Sequence, residues 1–151
     1  MNIQFELKPW SKVSRDEVEK AFRLRADIFI VEQDCVYPDI DGKDHLAWHS
    51  FAWDNDHLAS YLRIFPPGPY YDDAAAIGRI VTDANYRGQK LAGKLIQQSI
   101  KFIKSNIDTG CIKMSAQTHL KNYYGSFGFT PEGDEYDEDG IMHVCMVMNY
   151  G

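Results

Sequence analysis

The sequence predicts an α/β fold built around a mixed sheet. Three observations carry this. Short strand-like runs alternate with two longer apolar stripes at helical spacing. Residues 74–116 read strand–helix–strand, long enough for a right-handed parallel crossover. The chain has 151 residues, 44% hydrophobic and 25% charged, which suits one globular domain over 1–151.

Each element has its own signal. Ile3-Gln4-Phe5-Glu6-Leu7 alternates apolar and polar, as a strand with one buried face does, and Pro9 stops it. Ser14-Arg15-Asp16-Glu17 has the form of a capping box. Val18, Ala21, Phe22, Ile28 and Phe29 follow at helical spacing, so a helix is expected to fade near Glu32. Residues 34–45, with Pro38, Gly42 and four aspartates, read as a loop. The runs 48–53 and 58–65 flank Asp54-Asn55-Asp56 and predict an antiparallel hairpin. Residues 74–81 form a third strand after the breaker Pro66-Pro67-Gly68-Pro69. Leu91, Leu95, Ile96, Ile100 and Ile103 stripe a helix over about 89–105, and 111–116 returns as a strand. A short helix over 119–126 precedes Phe127-Gly128-Phe129, and 142–148 closes the order β-α-β-β-β-α-β-α-β-β.

Charge narrows the function. The net charge of −6 argues against a nucleic-acid binder, which needs a basic face. No apolar run approaches the roughly 18–20 residues of a membrane helix. Met1 to Glu6 carries no signal-peptide pattern, and three scattered cysteines form neither a disulfide framework nor a zinc motif. A reducing, cytoplasmic compartment is expected, with Cys111 and Cys145 as small buried hydrophobes. The charge is uneven: −4 over residues 32–44, −6 over 132–139, and +5 over 87–104, where no acid occurs.

That basic segment opens the most informative stretch, Ile77-Gly78-Arg79-Ile80-Val81-Thr82-Asp83-Ala84-Asn85-Tyr86-Arg87-Gly88-Gln89-Lys90-Leu91-Ala92. A strand runs into a tight turn that starts the helix. The first amides of a helix lack internal partners and lie at its positive dipole end, so an anion suits them. Neither GxxxxGK[ST] nor GxGxxG is present.

The stretch resembles motif A of the GNAT acyltransferases, Gln/Arg-x-x-Gly-x-Gly/Ala. Arg87 and Ala92 match its ends, and Lys90 replaces its internal glycine. Three further segments resemble the ElaA-like subgroup in order and spacing. They are Leu24-Arg25 through Cys35 with Asp41-Gly42, Tyr123-Tyr124-Gly125-Ser126-Phe127-Gly128-Phe129, and Tyr136 to His143. The resemblance implies a mixed sheet splayed between its fourth and fifth strands, with acetyl-CoA in the cleft. It implies that the Ile80-Val81-Thr82 stretch, through the backbones of Ile80 and Thr82, meets the pantetheine arm. It also implies that the amides of Arg87, Gly88, Gln89, Lys90, Leu91 and Ala92 hold the pyrophosphate.

Acetyl transfer to an amine needs proton removal from an ammonium of pKa about 10, oxyanion stabilisation, and a proton for the leaving thiolate. Family members place a tyrosine near the thioester sulfur, and Tyr124 holds that position, with Tyr123 as its neighbour. Leu120, Tyr124 and Phe127 also share a helix face, so a core role for Tyr124 stays open. Glu32, His49, His119 and His143 are candidates for the base. His45 and His49 lack a metal motif, and acidic neighbours disfavour a Cys35 thiolate, so no metal and no cysteine nucleophile are expected. The expected activity is direct transfer, in a ternary complex, from acetyl-CoA to a primary amine of a small molecule or basic peptide. The alternative is a non-catalytic acyl-CoA-binding module. The two acidic segments are expected as loops rimming the acceptor end, which suits a cationic amine, and the protein is expected as a monomer or homodimer.

Overall fold

Seven strands and three α-helices follow the predicted order in the computed structural model, which describes residues 1–151. The strands are β1 (Ile3–Pro9), β2 (Trp48–Asp54), β3 (His57–Phe65), β4 (Ala75–Thr82), β5 (Cys111–Gln117), β6 (Thr130–Glu138) and β7 (Ile141–Asn149). The helices are α1 (Arg15–Arg25), α2 (Leu91–Asn106) and α3 (Lys121–Gly125). One sheet runs β1-β2-β3-β4-β5-β7-β6. Its pairs are antiparallel except β4 and β5, which are parallel and meet only at Ala75–Ile112 and Ala76–Lys113. Beyond those two pairs the strands part, so the expected splay is present.

Strand periodicity gives the sheet two cores. Ala52, Leu62, Ile64, Ile77, Ile112, Met114 and Ala116 pack with Leu95, Ile96 and Ile103 of α2. Phe51, Trp53 and Tyr61, one residue out of phase, and Val81, turned over by a bulge in β4, pack with Ala21 and Leu24 of α1. Helices therefore cover both faces, and the alternation decides which.

Ser14 caps α1 as its sequence predicts: its hydroxyl accepts from the Glu17 amide, and Glu17 accepts from the Ser14 amide. The α-helix stops at Arg25, earlier than expected, and continues as a π-helical segment over Ala26–Glu32. The amides of Gln33 and Cys35 reach five residues back, to Ile28 and Ile30. The run Ile28-Phe29-Ile30-Val31, three β-branched residues and an aromatic, is a poor α-helix former, which is consistent with the wider turn.

Both acidic segments depart from expectation. Residues 132–139 are largely strand, not loop: β6 pairs with β7 at the sheet edge and is solvent-exposed throughout. Pairing overrides weak strand propensity there, and edge charges deter intermolecular pairing. The turn to β7 is Asp139-Gly140, both with positive φ (55° and 86°), as a tight I′ hairpin requires. The 32–44 segment buries Asp39 and Asp44 rather than solvating them. Cys111 and Cys145 are half-buried, on the sheet face away from α2, where the strands carry polar residues as well.

The buried aspartates meet three arginines. Arg25 donates from Nε to Asp39 at 2.9 Å and from Nη1 to Asp44 at 2.7 Å. Arg63 donates to Asp44 at 2.9 Å and to Asp41 at 2.7 Å. Arg79 Nε lies 2.9 Å from Asp39. His49 sits beneath, between the Tyr61 hydroxyl (2.6 Å) and the Asp44 carbonyl (2.9 Å). Burial lowers the His49 pKa, and it serves as a core residue. Burial works to raise the Asp41 carboxyl, but hydrogen bonds from Arg63 and Tyr70 outweigh it and hold it well below the usual range.

The start of α2 has unusual backbone. Gly88 (φ 82°) and Lys90 (φ 62°) are both left-handed, and no side chain caps the helix. Lys90 thus adopts the conformation that a glycine at its motif position would take freely.

Asp44→Asn is expected to lower unfolding free energy by about 3–5 kcal/mol, because Arg25 and Arg63 would stay buried with one counter-charge fewer. Urea unfolding measures this. Lys90→Gly is expected to leave the fold intact and stabilise it by about 0.5–1 kcal/mol, as left-handed strain is relieved against added chain entropy. Thermal unfolding reads that change.

Candidate active site

The parting of β4 from β5 opens a cleft of about 380 Å³. Its β4 wall is Ile77, Gly78, Arg79 and Ile80, whose edge has no strand partner on this side. A bulge contributes: Tyr61 pairs with Val81 but Arg63 pairs with Gly78, and Arg79 has φ 52°. Strand geometry makes the cleft pass through the sheet. Met114, Leu120 and Tyr124 line it from the face carrying α2 and α3. Ser115, Gln117, Tyr136, Glu138 and His143 line it from the opposite face.

Tyr124 is a core residue that also reaches the cleft. It packs in the core with Leu120 and Phe127, and it lines the cleft. Burial, with Tyr123 beside it, raises its pKa, so the phenol keeps its proton at neutral pH. Tyr123 is more exposed, with its ring edge-on to Tyr124 and to Phe127.

The predicted phosphate-binding turn lies at the outer end of α2. Arg87, Gly88, Gln89 and Lys90 are exposed, and the helix start carries no acid and no side-chain cap. The amides there are available to an anion, so the residues fit a pyrophosphate. Leu91 is buried, anchoring the helix start, and Ala92 is half-buried. Ile80 lines the cleft. Val81 and Thr82 do not: the Val81 side chain packs towards α1, and its carbonyl accepts from the Ser60 hydroxyl at 2.9 Å. Thr82 Oγ1 lies 3.0 Å from the same hydroxyl.

Of the candidate bases Glu32 and His143, only His143 lines the cleft. Glu32 lies outside the cleft lining and forms an ion pair with Arg87. The physical reason is proximity of the π-helical segment to the turn before α2. His143 lines the cleft, but its Nδ1 donates to the Ile141 carbonyl at 2.8 Å and its Nε2 lies 3.2 Å from Glu138. The Ile141 carbonyl therefore fixes the proton on Nδ1, and Nε2 faces the Glu138 carboxylate. His119 also lines the cleft. Cys35 donates to the Asp139 carbonyl at 3.2 Å and ties the N-terminal segment to the β6–β7 turn.

Sequence reading missed Ser115 and the grouping of Tyr136 and Glu138 with His143. Their signal lies in register: Tyr136 pairs with His143, and Ser115 sits opposite Cys145 on the same face. It also missed Arg63 and Arg79, which line the cleft while bound to aspartates.

Relatives agree with this architecture. The acetyltransferase (GNAT) domain family matches residues 15–150. A UPF0039 protein of Synechocystis is 36% identical over 97% of this chain and 96% of its own. Protein ElaA of Escherichia coli is 35% identical over 90% of each chain. Its solved structure superposes with a TM-score of 0.89, covering 98% of this chain and 100% of that one. An acyl-CoA N-acyltransferase from Pseudomonas aeruginosa superposes with a TM-score of 0.90 at 32% identity, covering 97% and 99%. The splayed sheet, the uncapped helix start beside it and this similarity along the chain share one explanation: the protein belongs to the GNAT acyltransferases, in their ElaA-like group.

Proposed function

We propose that the protein transfers an acetyl group from acetyl-CoA to a primary amine by direct attack in a ternary complex. The observation that carries this is the through-sheet cleft, which joins the Tyr124 face to a second, polar face. The thioester supplies an activated acyl carbon. The acceptor nitrogen forms the new N–C bond, the C–S bond breaks, and the thiolate takes a proton from Tyr124. The ammonium loses one proton to solvent at the polar mouth before it attacks; the second, lost from nitrogen as the amide forms, passes through solvent to restore the Tyr124 phenol.

The chain's own residues divide the work. The free amides and basic side chains from Arg87 to Ala92 bind the pyrophosphate, and the unpaired edge of β4 around Ile80 lies along the pantetheine arm. Acceptor charge follows from the balance of the cleft. Arg63 and Arg79 face it, yet with Arg25 they are matched by Asp39, Asp41 and Asp44. The acids facing the cleft without an arginine are Glu138 and Asp139, so a cationic amine suits it.

An amine panel with detection of released CoA thiol tests the activity. Turnover with cationic amines is expected; bound acetyl-CoA with no turnover on any amine would favour a non-catalytic acyl-CoA-binding module. In Tyr124→Phe, kcat is expected to fall about 100-fold while acetyl-CoA affinity, read by calorimetry, holds. An unchanged kcat removes Tyr124 from the chemistry. Glu32→Gln is expected to tighten acetyl-CoA binding about two- to five-fold, since Arg87 no longer leaves a carboxylate to reach phosphate. Weaker binding in that variant counts against Arg87 as a phosphate ligand.

A further inference from the structure

Four side chains on the face away from α2 and α3 cluster at the mouth of the cleft, three joined by hydrogen bonds and His143 set against them by stacking and an ion-pair distance. Strand register assembles them: Ser115 from β5, Tyr136 and Glu138 from β6, and His143 from β7 all point to the same side. Ser115 Oγ donates to Glu138 Oε2 at 3.3 Å, and Tyr136 in turn donates its phenol proton to Ser115 Oγ. His143 Nε2 approaches the same Oε2 at 3.2 Å. The Tyr136 and His143 rings stack, with centroids 6.1 Å apart and 24° between planes.

Two features make this group more than a surface cluster. Ser115 donates to Oε2 and His143 lies beside that same oxygen, while no hydrogen bond engages Oε1 of Glu138, a residue that lines the cleft. The backbone beneath is also rigid. Glu138 pairs with Ile141 across the tight Asp139-Gly140 turn, which the Gly140 amide secures to Asp137 at 2.8 Å and Cys35 secures from the other side. A half-exposed glutamate ordinarily samples many rotamers; here the Ser115 hydroxyl of β5 and the His143 ring of β7 both lie against one of its oxygens.

We infer that Glu138 is the seat for the acceptor's ammonium group, with Ser115 and His143 as positioning residues that orient its carboxylate and Tyr136 extending the apolar wall beside it. The inference deepens the transfer reading: it rests on an amine acceptor and names the residue that selects one. Oε1 accepts a charge-assisted hydrogen bond from the ammonium. The amine enters from the face opposite Tyr124, so its nitrogen and the leaving sulfur meet the acyl carbon from opposite sides. The neutralised arginine cluster on the β4 side gives the acceptor no free cation to bind, so a carboxylate on the acceptor is not required.

Direct binding separates this inference from the transfer reading. In the acyl-CoA-free protein, n-butylammonium is expected to shift the NMR amide signals of Ser115, Glu138 and His143, whereas the uncharged 1-butanol shifts none of them. Glu138→Gln is expected to abolish those shifts. Shifts that persist in Glu138→Gln, or that fall elsewhere, overturn the seat whatever the turnover. If the ammonium titrates at Glu138 while no amine releases CoA thiol, the transfer reading fails and the seat stands. With n-butylamine as acceptor, Glu138→Gln is expected to raise KM about ten-fold with kcat little changed, the loss of one charge-assisted hydrogen bond. Ser115→Ala is expected to raise KM by less, and Ser115→Thr to restore it. An unchanged KM in Glu138→Gln also overturns the assignment.

Discussion

Three arginines, two of them fully buried, pair with three aspartates and govern the arrangement of the cleft. Arg25 from α1, Arg63 from β3 and Arg79 from β4 converge on Asp39, Asp41 and Asp44 of one loop. Charges in this environment are tolerable only in mutual pairing, because each would otherwise lose its water without compensation. The pairing therefore fixes α1, the loop and the two strands relative to one another. It also removes net charge from that wall. Tyr37 and Tyr70 complete the shell, each donating to an aspartate, with Tyr70 pushed up to about 12 by burial and its Asp41 partner.

The second constraint is the absence of pairing. β4 and β5 start as parallel neighbours and separate after two residue pairs. Unpaired backbone in a protein interior is costly unless water or a ligand satisfies it. The bulge at Arg79 turns this edge, and the cleft keeps it accessible. Because the opening lies within the sheet, strand alternation assigns its two mouths different chemistry. One is lined by core residues and Tyr124, and the other by Ser115, Tyr136, Glu138 and His143.

Much of the fold was legible along the chain. The Ser14–Glu17 capping box, the hairpin at Asn55-Asp56 and the apolar stripe of α2 are local signals, and each corresponds to an observed element. The errors share a cause. Glu132 to Glu138 looks like a solvated loop because its strand state comes from β7, not from its own propensity. The aspartates of 39–44 look solvated because their arginines come from distant positions in the sequence. The placement of Glu32 on Arg87 spans 55 residues and has no local signature.

Charge shows the division most clearly. Sequence alone located the basic segment at the start of α2, its lack of acids and a glycine in the turn, because an anion site at a helix start depends on consecutive residues. Lys90 could be read as a departure from a motif, but only the structure showed that it takes the left-handed conformation of the glycine it replaces. Sequence also counted the acids correctly without knowing which were neutralised. Tertiary structure decided that Asp39, Asp41 and Asp44 face arginines while Glu138 lines the cleft without one. The reason is physical: helix-start chemistry is set by neighbours in the chain, whereas the net charge of a cleft wall is set by neighbours in space.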